Sequence, residues 1–200
     1  MRKLLSSLKV ILLAAILIVS GTVIYFTYTD ASTVGFSDEG KMDLELKGQS
    51  VKAQTFQLIN VIPGDNGRGC NRLVNAGNLI SDLSISFCEV VNTPGTSGEF
   101  ADGSGDLGIE AVAAVYIDVD VSGDWNNGDI GLKTDETTYS YPSVLDYDYI
   151  NNYSNRSWNS IVTIDTSDSC DFVIFWRIPI SAGNEIQGDR ISFDIIFTVE

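Results

Sequence analysis

Alternation constrains this chain more than any other feature. Apolar residues recur at every second position over long stretches, which is the period of a pleated strand with one buried face. Ile191, Phe193, Ile195, Phe197 and Val199 fall on one side, with Ser192, Asp194 and Thr198 on the other. Leu83, Ile85 and Phe87 alternate with Ser84, Ser86 and Cys88, and Met42, Leu44 and Leu46 with Asp43, Glu45 and Lys47. Val115, Ile117, Val119 and Val121 stay in step across residues 111–121, and residues 160–164 and 172–178 read the same way. Phe56, Leu58 and Val61 lead into Pro63-Gly64-Asp65, and Leu73-Val74 into Asn75-Ala76-Gly77-Asn78; both endings are turn signals. About seven to nine short strands with such turns predict an all-β fold, a jelly-roll-like β-sandwich. Helix signals are weak. Residues 141–153 hold one or two turns of helix or an ordered loop, and residues 93–108 form a Gly/Ser-rich loop that needs tying down.

The N-terminus follows a different rule. Arg2, Lys3 and Lys9 precede an almost wholly apolar run from Val10 to Phe26, and no acid occurs before Asp30. This is the pattern of an export signal, with cleavage expected after Gly21; a membrane anchor is the rival reading. The expected organisation is a leader over 1–21, an extended segment over 22–36 and one sandwich domain over 37–200. The product would be secreted, meeting the membrane only during export.

Charge and composition narrow the function. The net charge is −15, which excludes nucleic acid as a partner and argues against docking on anionic lipid. The chain has no histidine, so His-ligated zinc sites, His-based triads and HExxH peptidase chemistry cannot be built. The carboxylate pair Asp146 and Asp148 reads as a solvated loop rather than a glycosidase pair. The chain is not expected to be an enzyme.

One acidic stretch stands out, Asp118-Val119-Asp120-Val121-Ser122-Gly123-Asp124-Trp125-Asn126-Asn127-Gly128-Asp129. Oxygens at alternating positions around a glycine turn can converge on calcium, which takes about six to eight oxygen ligands. Asp118, Asp120, Ser122, Asp124, Asn126 and Asp129 are the candidate ligands for Ca2+, in partial match to a helix-flanked calcium loop. Serine at the fifth position and aspartate at the twelfth depart from that pattern. The alternative is that Asp118 and Asp120 form the wet face of a strand, with Val119 and Val121 inward. Three cysteines leave one odd thiol; Cys70 with Cys88, across an expected hairpin, is the local pairing, and a bond to Cys170 or three free buried thiols stay open. Asn152 and Asn155 head two consecutive glycosylation sequons. Tyr139, Tyr141, Tyr147, Tyr149, Tyr153 and Trp158 form an aromatic stretch that either stacks on a sugar or neighbouring subunit or caps the core.

Four stretches in order carry a resemblance. They are Tyr25-Phe26-Thr27-Tyr28-Thr29-Asp30 with Gly40-Lys41-Met42-Asp43-Leu44; Phe56 and Leu58 with Pro63-Gly64-Asp65; Leu73-Val74-Asn75-Ala76-Gly77-Asn78; and Trp176-Arg177-Ile178-Pro179 followed by Gly183-Asn184-Glu185-Ile186-Gln187-Gly188-Asp189. Together they resemble the TasA/camelysin family of exported fibre proteins, which extends to archaeal bundling pili and cannula-type tubule subunits. The resemblance implies a jelly-roll subunit of an extracellular filament, of biofilm-matrix or pilus type, that polymerises by donor-strand complementation. Its partner would be itself, head to tail, with related minor subunits. Val23, Ile24, Tyr25, Phe26 and Tyr28 would form the donor strand; they are β-branched or aromatic, hence good strand formers. The rival is that they end the signal or begin the chain's own sheet. The rival function is a secreted, calcium-dependent carbohydrate- or ligand-binding sandwich.

Overall fold

The computed structural model describes residues 44–46, 50–95 and 106–200, all within one compact unit, Thr33–Glu200. The expected leader, the extended segment and its donor residues lie outside the described residues. In chain order the strands are β1 (Leu44–Leu46), β2 (Ser50–Ile59), β3 (Asn66–Asn75), β4 (Ser81–Phe87), β5 (Val91–Thr93), β6 (Val112–Asp118), β7 (Ile130–Leu132), β8 (Thr138–Ser140), β9 (Asp148–Tyr149), β10 (Ser157–Ile164), β11 (Ser169–Arg177) and β12 (Arg190–Val199). A one-turn helix, α1 (Leu107–Glu110), precedes β6, and 3-10 turns occupy Ile150–Tyr153 and Asn184–Ile186.

The strands form a β-sandwich, as the alternation predicts. The first sheet runs β1-β3-β11-β6-β7-β8, with β9 also on β6; the second runs β10-β4-β12-β2, with β5 also on β12. Every pair is antiparallel except β1 with β3. The inner face of the second sheet brings Phe56, Leu58, Leu83, Ile85, Phe87, Ile191, Phe193, Ile195 and Phe197 into the core. The first sheet answers with Val115, Ile117, Phe172, Ile174 and Trp176. Phe172 meets Phe197 edge-on across the gap, centroids 5.2 Å apart. Burying each such side chain contributes about 1.5–3 kcal/mol, and this inter-sheet contact is what the alternation encodes.

One flank is closed by aromatics. Phe87 lies 5.4 Å from Trp158 and 5.5 Å from Tyr153, ring to ring. The Trp158 Nε1–H donates to the Lys133 carbonyl at 3.0 Å, and Tyr153 Oη to the Ala113 carbonyl at 3.2 Å. A bulge between Trp158 and Val162, with Ser160 at φ 48°, accompanies the inward turn of the indole. These bonds hold β10 against the β7 end of the first sheet. The strand orders then stack β2 over β3 at the opposite flank, where residues 60–65 join the two.

Several expectations need correction. Cys70 and Cys88 do not form a hairpin pair: Cys70 is on β3 of the first sheet and Cys88 follows β4 of the second, and none of the three cysteines is in a disulfide. Residues 76–80 cross between sheets instead of turning back within one. The run expected to extend through Val121 ends at Asp118, and Val121 takes φ +60°. Within residues 141–153 only Ile150–Tyr153 coil, as a 3-10 turn.

Candidate functional site

The acidic loop links β6 to β7. Asp118 ends β6 and Asp129 immediately precedes β7, so the paired strands bring the two ends of the stretch together. Both are wholly buried, while Asp120 is exposed. The reading of the pair as the wet face of a strand therefore fails: Asp118 ends β6 but is buried, and Asp120 is exposed but lies beyond the strand. Asp118 Oδ1 accepts the Ser122 N–H at 3.1 Å and Oδ2 the Gly123 N–H at 2.7 Å. Asp129 Oδ1 accepts from Val119 N at 3.1 Å and Oδ2 from Asn126 N at 2.8 Å. The two carboxylates thus brace the loop from both ends.

Of the six expected ligands, three converge. One oxygen each from Asp118, Asp120 and Asp129 lies within 4.8 Å of the others. Calcium–oxygen distances of roughly 2.3–2.6 Å put opposite ligands at most about 5 Å apart, so the cluster has the dimensions of a one-ion site. Each carboxylate oxygen keeps a lone pair beyond the one engaged by an N–H. Asn126 Nδ2 donates to Ser122 Oγ at 2.6 Å and to both Asp120 oxygens at 3.2 and 3.3 Å; a half-turn of that amide presents Oδ1 instead. Asp124 is exposed and outside the cluster. The oxygen set fits a hard cation.

Electrostatics sets the three apart. Burial, reinforced by the Asp120 carboxyl beside it, raises the Asp118 pKa above its usual 3.8, although N–H groups of Gly123 and Ser122 pull the other way. Asp120 is lowered, chiefly by hydrogen bonding from Ser122. Two carboxyls with opposed shifts share one small volume, and nothing among the described residues forms an ion pair with either. The neighbouring Asp171, opposite Asp118 in register, is matched by Arg72 at 2.8 Å.

The same loop roofs the outer face of the first sheet. Trp125 packs edge-on against Tyr116 at 5.3 Å and at a tilt against Tyr139 at 5.5 Å, and its Nε1–H donates to the Ser143 carbonyl at 2.8 Å. Gly131 is required there, because a Cβ would strike the Tyr139 ring. Burial raises the Tyr116 phenol pKa, and its oxygen has no hydrogen-bond partner among the described residues. The aromatic stretch is thus split: Tyr153 and Trp158 belong to the core, Tyr141 and Tyr149 are exposed, and Tyr139 and Tyr147 stand outside the first sheet.

Other candidates sort quickly. Asn152 is exposed, and its amide donates to Asp148 at 2.8 Å. Asn155 is exposed at φ +57°. Asp146 lies 3.5 Å from Lys133, while Asp148, half-buried at the start of β9, accepts from Thr134 and Asn152. Burial pushes the Cys170 thiol up to about 12, which leaves it unreactive at neutral pH.

Sequence reasoning missed a clasp. Asp189, almost fully buried, accepts the Gly95 N–H on Oδ1 and the Asp106 N–H on Oδ2, both at 2.8 Å. Asn92 adds a bond from Gly108 N and another to Asn151, each 2.8 Å. These side chains supply the tie that the Gly/Ser-rich stretch needs at its two ends. Only the Gly188-Asp189 turn hinted at them.

No helix among the described residues is long and apolar enough to cross a membrane. The chain matches no protein-family model and no curated protein.

Proposed function

We propose that the chain is a structural subunit of an extracellular filament, pilus or tubule, polymerising head to tail by strand exchange between copies. One observation carries the reading. β2 is ten residues long and, among the described residues, pairs only with β12. A long edge strand presents a row of backbone donors and acceptors to whatever strand arrives. Support comes from the inner faces beside it, where Gln54 Oε1 and Asn71 Oδ1 are buried without a hydrogen-bond partner among the described residues. An incoming strand gives such groups partners. Residues 22–28 are the donor in this proposal, on the strength of their composition and of the resemblance to fibre proteins. A head-to-tail contact of this type does not close on itself, so it builds fibres.

Calcium belongs to the same proposal, held by Asp118, Asp120 and Asp129 with Ser122 and Asn126 beside them. It would neutralise carboxylates in a chain of net charge −15, easing repulsion between neighbouring subunits. The test is negative-stain electron microscopy of residues 22–200 and of a 37–200 truncation, with calcium and with chelator. Filaments from the longer protein alone support strand exchange, and their loss on chelation supports the calcium role. A protein that stays monomeric in every condition overturns the filament reading in favour of the ligand-binding sandwich.

A further inference from the structure

A groove of about 550 Å³ opens on the first sheet beside the end of β11. Val112 and Phe175 line it with apolar surface, Tyr147 and Arg177 supply aromatic and charged surface, and Ile180 stands beside them at 87% exposure. The Arg177 guanidinium lies 4.1 Å from the Tyr147 ring centroid, a full stacking distance. Arg68 lies over the ring of Phe175 at 5.5 Å, and its Nε is buried without a hydrogen-bond partner.

Arg68 and Arg177 are set apart from the other described cations by lying on aromatic rings with no described carboxylate partner. The chain has 27 acidic residues against 12 basic ones, so carboxylates are plentiful. Arg72 and Lys133, on the same face, have taken such partners in Asp171 and Asp146. Arg68 and Arg177 form no ion pair with any described residue; aromatic rings hold them instead. A guanidinium fixed on a ring loses little entropy when it meets a carboxylate and offers a planar fork that matches one. The groove beside it is mainly apolar, and Asn66 is its one uncharged polar amide side chain. A sugar, which needs many hydroxyl partners, is poorly served there, whereas an apolar side chain is well served.

We propose that this groove binds an extended acidic peptide, with an aliphatic or aromatic side chain on Val112 and Phe175 and an adjacent carboxylate on Arg177. The inference is independent of polymerisation and of calcium. It is tested by fluorescence anisotropy with a fluorescein-labelled six-residue peptide of alternating aspartate and leucine, against the whole chain and its Arg177→Glu and Tyr147→Ala variants. Saturable binding is expected, weakened about tenfold or more by Arg177→Glu and by a smaller factor by Tyr147→Ala, which frees the guanidinium. Raising salt lowers the affinity. Arg177 is exposed, so its variant keeps the parent's thermal midpoint and reports binding rather than folding. Absent saturable binding, or equal affinity in Arg177→Glu, overturns the proposal. So does binding of polygalacturonate through Arg177 without binding of the peptide, which assigns the groove to an acidic glycan.

Discussion

The two flanks of the sandwich solve the same problem differently. Where β10 meets β7, the gap between sheets is filled by Trp158, Tyr153 and Phe87, and the indole N–H finds a carbonyl. Where β2 lies over β3, the inner face of β3 carries Gly67, Gly69 and Asn71 ahead of Leu73, and Gln54 faces in from β2. The first flank is large, apolar and hydrogen-bonded. The second is small and polar, with two buried side-chain oxygens that have no partner among the described residues. A closed flank stabilises the monomer; an unfinished one is suited to accept something.

The largest expected effect tests the closed flank. Trp158→Ala removes the indole from an almost fully buried site and should cost about 3–5 kcal/mol by chemical denaturation. A cost below about 1 kcal/mol would mean the sheets are held elsewhere. Next is the clasp: Asp189→Ala leaves the Gly95 and Asp106 N–H groups without their acceptor, for a loss of about 1–3 kcal/mol and faster proteolysis between those residues. Unchanged cleavage would show that the ends of that stretch are held by other contacts.

A pH experiment probes the polar loop that borders the closed flank. Partial burial works to raise Asp148, but hydrogen bonds from Thr134, Asn152 and the Tyr149 N–H outweigh it and hold the pKa below the usual 3.8. A lowered carboxylate pKa contributes stability that is present above 3.8 and is lost as pH falls through the folded-state value. Asp148→Asn should therefore lower the thermal midpoint at neutral pH and shrink the gap from the parent protein in strong acid. A gap constant with pH would contradict the assignment. The smallest effect tests the open flank. Asn71→Leu replaces an amide whose Oδ1 has no described partner, so the monomer should change by less than about 1 kcal/mol, while assembly weakens. A strongly destabilised monomer would show that Asn71 is already satisfied.

The contrast also explains what could be read from sequence. β4 and β12 have one wet and one dry face, and their alternation names the buried side chains correctly. β3 is just as long, but Gly67, Gly69 and Asn71 occupy its inner positions, so no period-two signal exists there; pairing with β11 makes it a strand. β7, β8 and β9 are too short to carry a period. The acidic stretch was legible as an oxygen-rich loop, yet its ligand set was not. The expected spacing belongs to a loop between helices, whereas this one joins two paired strands, which gathers the ends, Asp118 and Asp129, and leaves Asp124 outside. The cysteine pairing failed because sequence proximity does not reveal that β3 and β4 belong to different sheets. Ring-held Arg68 and Arg177 depend on contacts between distant segments, which no local pattern encodes.

The most direct test of the unfinished flank is residue-resolved hydrogen exchange of the 22–200 protein, before and after assembly. If β2 is the acceptor edge, alternate amides within Ser50–Ile59 exchange quickly in the monomer and become protected in the filament, while those of β10 keep their rates. Equal protection of β2 in both states, or new protection confined to β8 or β10, would contradict the account.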